Sequence, residues 1–254
     1  MRENPLRTLW RDGRVAANAW LALPDPFAAE LVAGCGFDSA CVDLQHGLAD
    51  PGRLPDLLRA IQSAGAVPLA RAPWNDAPTL MRILDAGALG VIVPMIRGVE
   101  DARAAVAACR YPPAGIRSYG PIRAAPVHGS DYVARAADEV LVFAMIETRE
   151  ALDGVDAICA VDGLSGLYVG PADLSYALGL EPRMDSDHPR HVEAVTRILR
   201  ACRDAGKVAG LHTADPAFAR RAAEQGFQFL TVATDHACLR TEAARRLEAF
   251  RAPS

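Results

Sequence analysis

Eight times along its 254 residues the chain alternates a short apolar run with an amphipathic segment of helical period, and few folds accept that rhythm. An apolar run around 17–23 leads to a helix over 26–33 that Gly34 and Gly36 stop. A strand over 39–44 precedes a helix over 54–64 closed by Gly65, and a strand over 67–71 precedes a helix over 77–86. The stretch 90–95 is apolar throughout, as a strand covered on both faces should be, and 99–110 is its helix. Residues 140–147 and 166–169 give two more strands, each followed by a helix start. A long helix over 187–205, a strand over 208–212, a helix over 216–225, a strand over 229–232 and a last helix over 237–250 complete the series. The pattern predicts an α/β fold, a (β/α)8 TIM barrel built as a single domain from residues 1–254. A doubly wound sheet is the alternative, and the lack of a G-x-G-x-x-G turn counts against it.

In a barrel the reacting groups sit where strands end and loops begin. Those positions hold His46, Arg71, Glu147, Asp173 and His212. Between Val140 and Gly179, the segment VLVFAMIETREALDGVDAICAVDGLSGLYVGPADLSYALG reads as strand, helix, strand, helix start. Alternation puts Phe143, Met145 and Glu147 on one face, with Glu147 at the carboxyl end. Pro171 suits a first helical position and leaves the amides of Ala172 and Asp173 free, an arrangement that attracts anions. Carried on neighbouring parallel strands, Glu147 and Asp173 converge at one sheet edge, and two hard oxygen donors suit Mg2+ or Mn2+. Either carboxylate alone is better read as a helix cap; the pair beside the Gly170-Pro171 turn reverses that preference.

A formal net charge of −4 with scattered arginines argues against a nucleic-acid partner. The first residues carry no apolar core for a signal peptide, and the longest apolar run, 86–96, is too short to span a bilayer, so no membrane partner and a soluble, cytoplasmic protein are expected. The six cysteines lack C-x-x-C spacing and read as reduced core residues. The single lysine, Lys207, lies at the start of a strand, which argues against Schiff-base chemistry at the strand ends. Residues 111–131 are rich in Pro and Gly and too long for an ordinary connection, so a functional loop is expected there.

The segments VDLQHG, RAPWND, LDAGALGVIVPM, RYPPAGIRSYGPIRAA, IETREAL and YVGPADLSYALG resemble, in order and over nearly the whole chain, the metal-dependent class II pyruvate aldolases of the 4-hydroxy-2-oxoheptanedioate aldolase type. The resemblance implies that Glu147 and Asp173 hold a divalent metal ion, Mg2+ or Mn2+ with Co2+ as a further candidate. It implies that Arg71 polarises the keto oxygen and steadies the enolate, that His46 does acid-base work, and that Asp85 orients that histidine, within the chain or across a subunit boundary. Gly170 and the amides of Ala172 and Asp173 match the turn that binds the substrate carboxylate. A homo-oligomer, a hexamer or trimer of dimers, is implied as well. Two departures bear on substrate range or metal affinity: Met145 stands where relatives carry Gln, and Gln45 where some carry Glu.

Met145 and His212 are expected to line the substrate pocket, although a lone His at a strand end is as readily a rim residue. His128, His188, His191 and His236 are expected to be solvated. Arg117 and Arg123 are equally suited to an acidic aldehyde tail or a neighbouring subunit. Trp10, Trp20 and Trp74 read as packing, with Trp74 near enough to Arg71 to shape the site. The expected activity is reversible cleavage of a 4-hydroxy-2-oxo acid to pyruvate, or a related 2-oxo acid, and an aldehyde through a metal-stabilised enolate, in aromatic-compound or sugar-acid catabolism. Its rivals are an acyl-CoA lyase or oxaloacetate decarboxylase on the same scaffold, and a keto-acid-binding barrel without turnover.

Overall fold

The eight apolar runs pair in chain order, each parallel to the next, and the last pairs with the first, so the sheet closes into a barrel. This arrangement is seen in a computed structural model of the protein, which describes residue 1 and residues 3–252. The strands are β1 (Ala16–Leu21), β2 (Ser39–Asp43), β3 (Val67–Arg71), β4 (Gly90–Val93), β5 (Leu141–Ile146), β6 (Gly166–Val169), β7 (Val208–His212) and β8 (Phe229–Thr234). Helix α1 (Pro5–Arg11) precedes the barrel, and α2 (Pro26–Ala33), α3 (Leu54–Ser63), α4 (Ala77–Asp85) and α5 (Val99–Cys109) join the first five strands. Short helices α6 (Ala124–His128) and α7 (Tyr132–Glu139) lead into β5, and α8 (Arg149–Asp153) and α9 (Val155–Cys159) follow it, broken at Gly154. The series ends with α10 (Pro171–Ala177), α11 (Pro189–Asp204), α12 (Pro216–Gln225) and α13 (Asp235–Arg251).

Alternation along each strand sorts side chains into two cores. Trp20, Cys41, Leu69, Ile92, Phe143, Met145, Tyr168 and Phe229 fill the barrel. Val42, Ala70, Val91, Val142, Ala144, Leu167 and Val169 face the helices. Within the barrel a polar layer is closed on itself: Asn18 donates to Thr231 Oγ1 at 2.8 Å, Ser39 donates to Asn18 Oδ1 at 2.8 Å, and the Tyr168 and Thr231 hydroxyls lie 2.5 Å apart. These groups are fully buried and all have partners, so the layer costs little to hold away from water.

Helix α1, absent from the sequence reading, stops the amino-terminal end of the barrel. Leu6, Leu9 and Trp10 join the interior core, and the Trp10 ring meets Phe143 and Phe229 edge-on at 6.0 and 5.9 Å. Its indole N–H donates to Gln228 O at 2.9 Å. Asn4 caps the helix by accepting from the Leu6 amide and ties it to α7 through Glu139.

Residues 111–131 are only partly a loop, since α6 lies within them and α7 follows at once. Within one chain they also lie at the end of the barrel away from the strand termini that carry chemistry. Following α5, they pack against the turn from α4 to β4, where Arg123 donates to Ala86 O and Gln62 Oε1 at 2.6 Å and His128 meets Gly87 O at 2.9 Å. Cys41, Cys109, Cys159 and Cys202 are buried as expected, whereas Cys35 and Cys238 are exposed. Lys207 lies just before β7, at the end of the barrel away from the strand termini that carry chemistry. No helix among the described residues is long and apolar enough to cross a membrane.

Candidate active site

A cavity of about 380 Å3 opens among the carboxyl ends of the strands. Its wall includes His46, Arg71, Met145, Glu147, the run 170–173 and His212, so nearly every residue expected at the site is brought to one space. Asp43, to which the sequence reading gave no role, also lines the cavity. Two parallel hydrogen bonds join it to Arg71, Nε to Oδ1 at 2.9 Å and Nη2 to Oδ2 at 2.6 Å. The Trp20 indole N–H donates to Oδ2 at 3.2 Å, and the amides of Gln45 and His46 donate to Oδ1 at 3.0 and 3.2 Å. Burial alone would raise the Asp43 carboxyl, but these donors and the guanidinium hold it below the ordinary range. Arg71 also lies over the Trp20 ring, 4.9 Å from its centroid. The sequence did contain the signal: an Asp two residues before Gln45 ends β2, in register with Arg71 of β3.

Glu147 follows β5 and is buried, 3% exposed. Its Oε1 accepts from the Met95 amide at 2.7 Å, and Met95 holds that amide in place with φ of 55°, a left-handed backbone that costs a non-glycine residue on the order of 1–3 kcal/mol. Oε2 lies against Gly170, where an added Cβ would stand 2.4 Å away, so only glycine leaves room for this carboxylate. Burial, countered by the Met95 amide and reinforced by the charge of Asp173, pushes the Glu147 carboxyl up to about 7. Asp173 is exposed in the first turn of α10.

His212 ends β7 half-buried, edge-on to Trp20 with centroids 4.7 Å apart. Burial first, then the charge of Arg71, pushes its imidazole down to about 4, so the ring is neutral at physiological pH. His46 is exposed at the cavity edge, and Met145 is buried beneath it. Gln45 Oε1 is buried without a partner among the described residues.

Several expectations are corrected. Asp85 closes α4 at the far end of the barrel and pairs there with Arg117 at 2.7 Å, so within one chain it does not meet His46. Arg117 is buried between the Tyr111 and Tyr132 rings and neither it nor Arg123 lines the cavity. His191 is buried against Pro171 O and His128 is half-buried, whereas His188 and His236 are exposed as expected, His236 also lining the cavity. Trp20 forms part of the cavity wall, while Trp74 is 54% exposed and lies outside it. Asp235, also overlooked, is buried and accepts from the amides of Ala22, Leu23 and His236, fixing the end of β1 to the start of α13.

A closed parallel barrel with a clamped arginine and two carboxylates at its strand ends defines an enzyme for small acidic substrates. Residues 17–241 match the HpcH/HpaI aldolase/citrate lyase family. The chain is 40% identical over 244 residues to the hydroxypyruvate/pyruvate aldolase of Rhizorhabdus wittichii, covering 96% of this chain and 97% of the relative. It is 37% identical over 253 residues to the 4-hydroxy-2-oxo-heptane-1,7-dioate aldolase of Salmonella dublin, covering 98% and 94%. Its fold superposes on the crystal structure of an HpcH/HpaI aldolase/citrate lyase family protein from Burkholderia cenocepacia J2315 with a TM-score of 0.91 at 34% identity, covering 98% of this chain and all of that one. The chain belongs to the HpcH/HpaI aldolase/citrate lyase family and is a carbon-carbon lyase. The family generally depends on a divalent metal ion, and its aldolase members act on small keto acids.

Proposed function

We propose that this lyase is a class II aldolase that reversibly cleaves 4-hydroxy-2-oxo acids to pyruvate, or a related 2-oxo acid, and an aldehyde. The observation that carries the reading is the meeting of the Asp43-clamped Arg71 with Glu147 and Asp173 in one cavity. Glu147 and Asp173 fit a hard divalent cation, Mg2+ or Mn2+, because both are oxygen donors and Glu147 Oε2 is held beside Gly170 with no donor among the described residues. Among those residues no cluster of three or more His, Cys, Asp or Glu side chains forms, so water and substrate oxygens would complete the coordination. The bound cation would act as a Lewis acid on the keto oxygen.

The chain's own groups do the rest. Asp43 fixes the plane of the guanidinium and leaves Arg71 Nη1 free, among the described residues, to donate to the keto oxygen, where negative charge grows as the enolate forms. The amides of Ala172 and Asp173, beside Gly170, hold the substrate carboxylate. His46, at the cavity edge, moves the proton of the aldol hydroxyl. The surrounding Met145, Ala214 and Ala237 keep the reacting carbons in an apolar setting.

The working protein is proposed to be a homo-oligomer, a hexamer or trimer of dimers, with residues 1–254 as one catalytic domain. Helix α13 buries only Asp235 and exposes Leu239, Leu247 and Phe250, and the 111–131 segment exposes Ile116, Tyr119 and Ile122. Assembly would let Asp85 of one protomer support His46 of the partner subunit. The proposed compartment is the cytoplasm, where the six free cysteines stay reduced. The test is turnover of pyruvate with a panel of aldehydes before and after chelation. Metal-dependent aldol formation is expected; full activity after chelation and dialysis, or no exchange of pyruvate's methyl protons with solvent, sinks the reading.

A further inference from the structure

His212 has no task in the chemistry above, yet it is placed as a ligand-facing group. It lines the cavity, and neither ring nitrogen has a hydrogen-bond partner among the described residues. The polar groups that could have satisfied it are committed elsewhere: Thr213 donates its hydroxyl to Thr231 O at 2.7 Å, and Asp43 is taken by Arg71 and Trp20. The imidazole packs nearly perpendicular to the Trp20 ring, and Met145 belongs to the same apolar core as that ring. A leucine would pack there equally well without leaving polar atoms unpaired.

The ring is also close to the reacting end of the substrate. Arg71 and His212 rest on the same indole, 4.9 and 4.7 Å from its centroid, so a short substrate polarised by Arg71 reaches His212 within a few atoms. Arg71 and the cation that Glu147 and Asp173 would hold account for the keto oxygen, and the amides of Ala172 and Asp173 for the substrate carboxylate. The group left for His212 is a neutral one that both donates and accepts, as a neutral imidazole does.

We propose that His212 reads a hydroxyl on the carbon next to a substrate carbonyl, so that the enzyme favours 3-hydroxy-2-oxo acids as donors or 2-hydroxyaldehydes as acceptors over their deoxy counterparts. The inference rests on the aldolase reading. The depressed titration of the ring agrees with it, since an imidazolium could only donate.

Four pairings test it, hydroxypyruvate or pyruvate with glycolaldehyde or acetaldehyde, in the metal-loaded wild type and in His212→Leu and His212→Asn. In His212→Leu the preference for hydroxylated over deoxy substrates should shrink by roughly tenfold in kcat/KM, the size of one lost neutral hydrogen bond. His212→Asn, which keeps a donor and an acceptor, should retain most of it. A change confined to the donor series assigns the hydroxyl to the 2-oxo acid, and one confined to the acceptors assigns it to the aldehyde. An equal fall in all four pairings overturns the proposal and leaves His212 as packing for Trp20. If no pairing turns over even in the wild type, the aldolase reading has failed on its own. Calorimetric binding then decides: tighter binding of hydroxypyruvate than of pyruvate, lost in His212→Leu, upholds the role, and equal binding overturns it.

Discussion

Asp43 and Arg71 meet through two parallel hydrogen bonds, and with side chains 4% and 11% exposed the pair is almost sealed from water. Removing the carboxylate strands a buried guanidinium. Asp43→Ala should cost about 3–5 kcal/mol in urea unfolding. Asp43→Asn, which keeps the shape but not the charge, should fold better and still lose most of kcat/KM through a misaligned Arg71. Because the folded Asp43 carboxyl lies below its ordinary range, its stabilising share is present above that range and is lost as the pH falls through the folded value.

Glu147 has the opposite sign. With its carboxyl near 7 in the metal-free protein, a cation must displace a proton, so apparent metal affinity should fall by about tenfold per pH unit below 7. Metal titrations about one pH unit below and about one above that value give the comparison. The metal-free fold retains a proton that the unfolded chain has already released, so its stability should decline as pH rises from the ordinary Glu range to about 7. Equal affinity at both pH values would mean that Glu147 is not the group displaced.

Gly170→Ala places a methyl 2.4 Å from Glu147 Oε2 and 3.3 Å from Met145 Sδ. The carboxylate is the end of a flexible side chain, so it should yield rather than the backbone. The expected outcome is an intact fold by circular dichroism with roughly 10- to 100-fold weaker metal binding.

His46 and Arg71 should fail differently. Arg71→Ala removes charge from the enolate oxygen, so aldol cleavage and pyruvate proton exchange should both drop by about 10²- to 10³-fold. Arg71→Lys should rescue little, because a point charge cannot replace the fork held by Asp43. His46→Ala should depress cleavage steeply but spare decarboxylation of oxaloacetate, which needs no hydroxyl deprotonation. Equal losses in the two variants would assign His46 to another role.

Trp10→Ala should cost about 3–5 kcal/mol although it lies far from the cavity, since it opens a hole between α1 and the rings of Phe143 and Phe229. Calorimetric melting and kcat/KM at low temperature separate this loss from any catalytic one.

The barrel was legible because its periodicity is local: each strand and most helices announce themselves by alternation, Gly stops and Pro starts, and β3, β7, α2 and α12 fall on the expected residues. Glu147 and Asp173 were legible for the same reason, as strand-end carboxylates next to a Gly-Pro turn. What escaped was tertiary. Asp43 acts through a register with β3 that no one-dimensional pattern displays, and the Met95 amide reaches Glu147 only because of one left-handed residue. His191 looked solvated because its helix start is polar, yet the fold turns it onto Pro171 O. Asp85 was assigned by motif to a site that, within one chain, lies at the other end of the barrel from the place where Arg117 holds it.

The stopper formed by α1 also bears on the order in which this molecule comes together. Trp10 bonds to a carbonyl 218 positions away and Asn4 to a residue 135 positions away, so the helix made early cannot complete its docking until the last strand exists. Its burial is therefore a late event by necessity, after the costly long-range closure of β1 on β8. Until then Leu6, Leu9 and Trp10 are an exposed, sticky tract, and the interval before docking is when aggregation competes with assembly.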